Sequence, residues 1–227
     1  MKRLLLTSLA AVLLGSGCII VPGNSRGDIT FNWDFAGATC SQTQVASVKI
    51  SIPGETLANA GVFPCLVDGA PGVTLHDFKP GTYTYTFEGL DSAGTVLFRK
   101  AGSVPVNGDV SVSVSLDWAV GGAEVAWTLS ANSVNVSCAS AGLQTMYVNF
   151  RGANGLWLYG ESGDPQACNV TSVSYDYLPP GNYEVYVAGV DPSNRVYEPF
   201  NPQALPVVTV QAGNFNPAPI SLSLVRK

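Results

Sequence analysis

The sequence predicts an all-β protein of two tandem antiparallel β-sandwich domains that follow a cleaved signal peptide. Apolar and polar residues alternate with a period of two in many short segments, turn residues separate these segments, and the whole pattern occurs twice. The chain of 227 residues contains 24 Gly and 15 Pro and is 46% hydrophobic. This composition indicates many turns around a substantial core and does not resemble that of a disordered chain.

The first copy of the pattern contains four clear alternating strands. In each of them every second residue is apolar and the residues between are mostly polar, which is typical of an antiparallel sheet with one buried and one wet face. The apolar sets are Ile29, Phe31, Trp33 and Phe35; Val48, Ile50 and Ile52; Tyr83, Tyr85 and Phe87; and Val110, Val112, Val114 and Leu116. The sequence therefore predicts a first sandwich domain over residues 27–118.

The second copy repeats the same order of strands and turns. Its apolar sets are Val125, Trp127 and Leu129; Met146, Val148 and Phe150; Val173, Tyr175 and Tyr177; Tyr183, Val185 and Val187; and Ile220, Leu222 and Leu224. A shift of 100 residues superimposes Pro80, Gly81, Tyr83, Gly89, Asp91 and Val96 on identical residues. The sequence predicts a second domain over residues 123–227, a boundary at Asp117 to Gly122, and core positions for Trp33 and Trp127, which lie on matching first strands.

A short motif occurs at the same place in both copies. The segments Phe78-Lys-Pro-Gly-Thr-Tyr83 and Leu178-Pro-Pro-Gly-Asn-Tyr183 resemble a recurrent piece of transthyretin-like, carboxypeptidase-regulatory-like and fibronectin-type modules. The resemblance implies an Ig-like or transthyretin-like sandwich in which Pro-Gly makes the turn into a strand and the Tyr packs across the corner. It implies a shape and no activity.

The amino terminus has the features of an export signal. Lys2 and Arg3 precede an apolar stretch from Leu4 to Leu14, which is too short to span a bilayer, and small residues then lead to Cys18. Residues 1–17 resemble a bacterial lipoprotein signal peptide, although Gly15 stands where that family usually has Leu. The resemblance implies cleavage before Cys18, acylation of Cys18 and membrane attachment through a tether over residues 18–26. An ordinary signal peptidase would instead leave Cys18 as a free thiol.

The residue after the anchor cysteine bears on localisation. In enterobacterial lipoproteins a residue other than Asp at this place implies sorting to the outer membrane, and here the residue is Ile19. The resemblance therefore implies a lipid-anchored protein of the bacterial outer membrane that faces the periplasm or the cell surface.

The other four cysteines form two matching pairs. Cys40 and Cys65 lie in the first copy, and Cys138 and Cys168 lie at the same places in the second. In an exported protein such a set indicates disulfides, and the repeat selects one bond in each domain. A redox or metal site is the alternative, but neither pair has the close spacing of a CxxC motif.

Composition and motifs argue against most catalytic chemistry. A net charge of −5 disfavours nucleic acid as a partner. The single histidine, His76, lies beside Asp77 on a strand where neighbours point to opposite faces, so we expect a solvent-facing side chain. Asp91 and Asp191 lie at turns, where Asp commonly bonds the local backbone. We therefore expect no catalytic residues, no metal and no cofactor; a hydrolase would need several scattered Asp and Glu to converge in a cleft.

Aromatic residues of the second copy form the one candidate ligand platform. Asn154-Gly155 predicts a hairpin, and on its strands Tyr147, Trp157 and Tyr159 fall out of step with the core positions. Exposed rings of this kind could stack on a polysaccharide or contact another envelope protein. The alternative places Trp157 in the core or between the domains.

Together these observations predict a lipid-anchored bacterial cell-envelope protein with a non-catalytic structural or interaction role. Its partners would be the membrane, through acylated Cys18, and an envelope protein or polysaccharide. The alternative is a carbohydrate-binding module or adhesin that uses the exposed aromatic residues of the second domain.

Overall fold

The computed structural model describes residues 26–170 and 172–227, and nearly all regular structure in them is β-strand. The signal peptide over residues 1–17, Cys18 and the tether up to residue 25 lie outside the described residues. Within the described part, no helix is long and apolar enough to cross a membrane.

The first domain contains seven strands in two packed layers. Their bounds are β1 Gly27–Phe35, β2 Ser47–Ser51, β3 Val62–Pro64, β4 Gly72–Phe78, β5 Gly81–Leu90, β6 Val96–Val106 and β7 Val110–Trp118. One layer has the order β3-β2-β5-β6 and the other the order β7-β1-β4. A two-residue ladder between β6 and β7 joins the layers at one edge. The alternating apolar residues of the strands fill the space between them, and Trp33 lies in this core.

The second domain repeats this plan with nine strands and one short helix. Their bounds are β8 Gly121–Ala131, β9 Val134–Val136, α1 Cys138–Ala141, β10 Thr145–Gly152, β11 Asp164–Ala167, β12 Ser172–Leu178, β13 Gly181–Val190, β14 Val196–Pro199, β15 Val207–Val210 and β16 Ile220–Arg226. One layer is formed by β11, β10, β13 and β15, and the other by β12, β8, β16 and β14, with β9 paired to β8. Trp127 lies in the second core.

The prediction of a two-domain sandwich is confirmed, but the ladders are not all antiparallel. In each domain the first strand pairs in parallel with the last: β1 with β7 over seven residue pairs, and β8 with β16 over six. The chain enters each domain at one end and leaves it at the other, so the first and last strands run in the same direction. This arrangement lets the two domains follow one another end to end.

The boundary between the domains is shorter than the sequence predicts. Strand β8 begins at Gly121, so Gly121 and Gly122 belong to the second domain and do not form a linker. A Cβ atom on Gly121 would lie 2.0 Å from the carbonyl oxygen of Gln211, so this glycine marks a close approach of two backbones. The preceding residue, Val120, is buried in the core of the first domain.

The two domains are in contact around Trp118. Its ring centroid lies 4.7 Å from that of Phe215 and 6.5 Å from that of Tyr177, both residues of the second domain. The Nε2 of Gln44 donates a hydrogen bond to Tyr177 Oη at 3.1 Å. The backbone N–H of Gly213 bonds the carbonyl oxygen of Val120 at 2.8 Å. The domains therefore abut through an aromatic cluster and do not hang on a free linker.

Candidate functional site

The repeated tyrosines hold equivalent corners of the two domains. Tyr83 Oη donates to the carbonyl oxygen of Lys79 at 3.0 Å, and Tyr183 Oη donates to that of Pro179 at 2.8 Å. Each ring thus bridges the turn into its own strand, as the resemblance to sandwich modules implies. These tyrosines have structural partners in both domains.

The repeated aspartates close equivalent turns. Asp91 Oδ1 accepts the backbone N–H groups of Ala93 and Thr95, both at 2.8 Å. Asp191 Oδ1 accepts those of Ser193 at 2.8 Å and Arg195 at 3.0 Å. The bond from the Thr95 N–H is the main cause that lowers the pKa of Asp91, and the bond from the Arg195 N–H has the same effect on Asp191. The expectation that these residues form turns is confirmed.

His76 faces solvent and does not pair with its neighbour in sequence. Its side chain is 71% exposed, and its Nδ1 lies 2.7 Å from Asp28 Oδ2 on the adjacent strand β1. Asp77 instead forms an ion pair with Arg26 at 2.6 Å. The described residues contain no group of three or more His, Cys, Asp or Glu side chains that could hold a metal ion.

The structure contains one disulfide in each domain, with the pairing selected from the repeat. Cys40 is bonded to Cys65, and Cys138 is bonded to Cys168. In the first domain the bond joins the segment after β1 to the segment before β4, and in the second domain it joins helix α1 to the segment before β12.

Trp157 lies on the outer face of the second domain, in neither its core nor the contact between domains. The only strand-like feature of its segment is a single bridge to Arg151, so the second strand of the predicted hairpin, which was to hold Trp157 and Tyr159, is replaced by turns. The guanidinium carbon of Arg151 lies 5.3 Å from the Trp157 ring centroid, and the ring of Tyr186 lies 6.1 Å from it. Trp157 is half-buried by these neighbours, which leaves part of its ring accessible.

The three candidate platform residues do not form one surface. Tyr159 is 37% exposed, but its ring packs toward the core, 5.6 Å from Tyr175 and 6.2 Å from Phe150. Tyr147 is 40% exposed and lies on β10 four residues before Arg151, which places it about 13 Å along the strand from the Trp157 contact. The residue that accompanies Trp157 is Tyr186.

Sequence reasoning missed Tyr186, although its alternation on β13 could have indicated it. Tyr183, Val185 and Val187 are buried, so Tyr186 must face outward. Its Oη donates a hydrogen bond to Glu198 Oε2 at 2.9 Å. Burial is the main cause, and this hydrogen bond the second cause, that raises the pKa of Tyr186 to about 12. The Nε of Arg151 bonds Glu184 Oε2 at 2.6 Å beside it. This outer surface therefore presents two rings held between charged groups.

A second candidate site, absent from the sequence prediction, is an apolar groove at the far end of the second domain. It has a volume of about 640 Å³ and lies between strand β9 and the Cys138–Cys168 disulfide. Trp127, Val136, Ala139 and Val170 contribute to its lining. The Nε1 of Trp127 is buried and has no hydrogen-bond partner within the described ranges.

Comparison with known proteins found similarity in structure only. No family model matches the sequence, and no curated protein matches it. A proposed adhesin from Bacteroides ovatus has a TM-score of 0.47 at 10% identity, with 96% of this chain and 93% of that one covered. GBS52, the minor pilin of Streptococcus agalactiae, has a TM-score of 0.46 at 11% identity, with 88% and 96% covered. At such identities the likeness concerns the fold alone.

Proposed function

We propose that this protein is a lipid-anchored protein of the bacterial outer membrane, acylated at Cys18, whose two sandwich domains perform a non-catalytic structural or interaction role. The observation that carries the anchor is the amino-terminal sequence, in which a basic start, a short apolar stretch and small residues precede Cys18. The end-to-end arrangement of the domains gives the orientation that such an anchor would impose. The chain enters the first domain at the end farthest from the second, so an anchored amino terminus would place the second domain away from the membrane.

The direction of the first and last strands supports this orientation. Gly27 lies against Gly108, at the start of β1 and just before the start of β7, whereas Trp118 lies at the opposite end of β7 and contacts the second domain. A nine-residue strand spans about 30 Å. The tether from Ile19 to Arg26 reaches at most about 28 Å when fully extended. The first domain would thus lie next to the lipid surface and the second beyond it.

The environments of the polar residues support a non-catalytic role. Asp91 and Asp191 accept turn hydrogen bonds, Tyr83 and Tyr183 hold corners, and His76 pairs with Asp28 in the open. Residues that occur in both domains have the same structural partners in each. The repeat therefore conserves a scaffold.

The substitution Cys18→Ser tests the anchor. In cells fed a radiolabelled fatty acid, the variant should incorporate no label and should accumulate as unprocessed precursor in the membrane fraction. Ser16→Ala, which keeps a small residue before the cleavage site, is the matched control and should be labelled and cut normally. Normal cleavage and release of the Cys18→Ser variant would show an ordinary signal peptide and refute the anchor.

The substitution Ile19→Asp tests whether the protein is sorted to the outer membrane. If sorting follows the enterobacterial rule, the variant should move from the outer to the inner membrane in a density-gradient separation, whereas Ile19→Leu should stay with the wild type. A wild-type protein that is found in the inner membrane would contradict outer-membrane localisation and leave lipid attachment intact.

Carbohydrate binding at the outer surface of the second domain is a second candidate function, because the partly accessible Trp157 ring is held by Arg151 and flanked by Tyr186. Flat rings with neighbouring hydrogen-bonding groups suit the faces and hydroxyls of sugars. Binding to a polysaccharide array should be lost in Trp157→Ala and retained in Leu156→Ala, whose side chain is exposed and adjacent. Equal binding by both variants would remove this candidate.

A further inference from the structure

The first and last strands of each domain lie side by side, and the chain is attached to them at opposite ends. In the first domain, β1 pairs in parallel with β7 over seven residue pairs. The chain enters β1 at Gly27 and leaves β7 at Trp118, which lies at the other end of the ladder. Tension between the two ends of the domain therefore pulls the two strands along their length in opposite directions.

This direction of tension loads all the bonds of the ladder at once. The hydrogen bonds between parallel strands are evenly spaced and cross from one strand to the other. Sliding of β1 against β7 stretches every one of them together. If the chain entered and left at the same end of the ladder, the same tension would open the pairs one after another. The parallel ladder therefore resists a higher force than pairs that open in sequence.

Bonds that involve a side chain reinforce the ladder of the first domain. Within the described ranges three of them cross it: Asn32 Nδ2 to Ser111 Oγ at 3.4 Å, Ser115 Oγ to Asp34 Oδ1 at 2.6 Å, and the Asp28 N–H to Asp109 Oδ1 at 2.9 Å. The ladder of β8 and β16 has six pairs, and the described residues place one such bond across it, from Ser130 Oγ to the carbonyl oxygen of Leu224 at 3.4 Å. The first ladder is thus the longer and the more strongly cross-linked.

The junction between the domains passes tension from one ladder to the next. Two residues, Ala119 and Val120, separate β7 from β8. The Ala119 N–H bonds the carbonyl oxygen of Leu97 at 2.8 Å, and Val120 is buried in the first core. A junction that is so short and so well held leaves little slack, so tension on β8 reaches β7 directly.

We propose that the first domain bears tensile load between the membrane anchor and the second domain, with the β1–β7 ladder as the element that carries it. Load arises when a partner holds the second domain while the amino terminus is held in the membrane. When load is applied at the two ends of the chain, the second domain unfolds first, because its ladder is shorter and less cross-linked. This role rests on the anchor proposed above, since a chain that is free at its amino terminus carries no load.

The disulfides limit how far each domain extends once its ladder breaks. The bond between Cys40 and Cys65 carries the tension across, so the chain between these residues stays out of its path. The bond between Cys138 and Cys168 does the same in the second domain. Separations of 25 and 30 residues correspond to about 90 Å and about 110 Å of extended chain. Because the two lengths differ, reduction of the bonds identifies which domain has unfolded.

Single-molecule force measurement tests the direction of the load. The mature chain, residues 18–227 with Cys18→Ser, is held by tags at its two termini or, in a second arrangement, by the amino-terminal tag and a handle on Asn107→Cys. Asn107 is exposed and precedes Gly108, which lies against Gly27, so the second arrangement opens the ladder from one end. The first domain should unfold at a force at least about twofold higher in the end-to-end arrangement. Equal forces in the two arrangements would overturn the proposal.

The order of unfolding tests the difference between the domains. In the end-to-end arrangement two steps are expected, and forced unfolding reports the unfolding rate of each domain under load. When the disulfides are reduced, the step at lower force should lengthen by about 110 Å and the step at higher force by about 90 Å. The opposite assignment would contradict the greater strength of the first ladder.

One substitution with a matched control tests the bonds across the ladder. Ser115→Ala removes the hydroxyl that bonds Asp34, so it should lower the unfolding force of the first domain in the end-to-end arrangement and leave it unchanged in the other. Ser113→Ala removes an exposed hydroxyl of the same strand that has no side-chain partner within residues 26–170 and 172–227, and both forces should stay as in the wild type. An equal loss of force in both arrangements for Ser115→Ala would refute its assignment to the ladder.

These measurements separate a failure of the load-bearing role from a failure of the anchor. They use a chain without lipid, so their outcome does not depend on acylation of Cys18. Equal forces in the two arrangements would remove the load-bearing ladder and leave the anchor standing. Normal cleavage and release of Cys18→Ser in cells would instead remove the source of the load, and with it the role, while the measured forces stay as they are.

Discussion

The two domains share one framework and differ in how it is covered. Strand order, the parallel pairing of first and last strands, the disulfide, the tyrosine corner and the aspartate turn recur in both. The long strand β6 of the first domain, however, is divided into β14 and β15 in the second. The second domain also gains the β8–β9 hairpin and loses three residues after Cys168. The differences therefore lie in one divided strand, an added hairpin and a shortened loop, while the order of the strands is kept.

A β-bulge occurs at the same place in β4 and β12, and its residue with positive φ has a different role in each domain. Asp77 and Tyr177 are equivalent, and both have positive φ, 72° and 62°. In the first domain, at the end where the chain enters, Asp77 pairs with Arg26. In the second domain the same position faces the first domain, and Tyr177 lies in the aromatic cluster with Trp118 and Phe215. The same backbone thus serves a polar end in one domain and a contact in the other.

The opposite ends of the domains differ in the same way. Trp118 at the end of β7 is covered by Phe215 of the second domain. The equivalent residue of β16 is Arg226, because it pairs with Tyr197 as Trp118 pairs with Phe98. Arg226 donates a hydrogen bond to Asn132 Oδ1 in the turn between β8 and β9. The apolar end of the first domain is buried between domains, whereas the second domain ends in polar groups beside an apolar groove.

Among the changes that compare the two domains, loss of a disulfide should lower the unfolding free energy most. Each bond closes a loop of similar length, 25 and 30 residues of separation, so Cys40→Ala with Cys65→Ala and Cys138→Ala with Cys168→Ala should each lower the unfolding free energy of their own domain by about 3–4 kcal/mol. Hydrogen exchange resolved by mass spectrometry measures the two domains separately. Equal loss of protection in both domains from either pair of substitutions would show that the domains unfold as one unit.

Phe215→Ala should test the contact between the domains. The ring is partly buried against the first core, so its loss should lower the unfolding free energy by about 1–2 kcal/mol and reduce hydrogen-exchange protection around Trp118. Phe200→Ala removes a ring that is 77% exposed and should change stability by less than about 0.5 kcal/mol. Unaltered protection at Trp118 in Phe215→Ala would mean that the contact adds no stability.

The equivalent tryptophans should respond differently to the same substitution. Trp33→Phe and Trp127→Phe both remove part of a buried ring, but only Trp33→Phe breaks a hydrogen bond and leaves the Cys65 carbonyl oxygen without that donor. Trp33→Phe should therefore cost about 1 kcal/mol more in denaturant unfolding. Equal costs would indicate that Trp127 Nε1 finds a partner in solution.

Low pH should lower the stability of both domains through their aspartate turns. This effect should be the smallest of the four predicted here for the two domains. The pKa of Asp91 and of Asp191 is lowered below 3.8 in the folded state, so each adds stability above that pH and loses it as the pH falls through the folded pKa. Asp191→Asn should flatten the acid limb of the melting temperature measured from pH 2 to 7. Asp176→Asn, an exposed carboxylate of the same domain, should leave that limb unchanged; an identical effect of both variants would refute the turn as its source.

Local patterns account for what could be predicted. Alternation placed Trp33, Val48 and Phe87 inside because the side-chain period of a strand is two whatever the neighbouring strand is. The repeat selected the disulfide pairing and the turn role of Asp91 and Asp191, since one framework used twice restricts the alternatives. The parallel pairing of β1 with β7 was missed because strand direction depends on where the chain leaves the domain.

The sequence by itself determined which face of each strand is buried, how often the domain plan occurs and which cysteines match. These features are written in the spacing of residues along the chain. Only the tertiary structure decided which outward residues share a surface: it placed Trp157 beside Tyr186, turned Tyr159 toward the core and left a groove beside Trp127. Such neighbours come from different strands and from loops of different length, and their distances follow from packing rather than from separation in sequence.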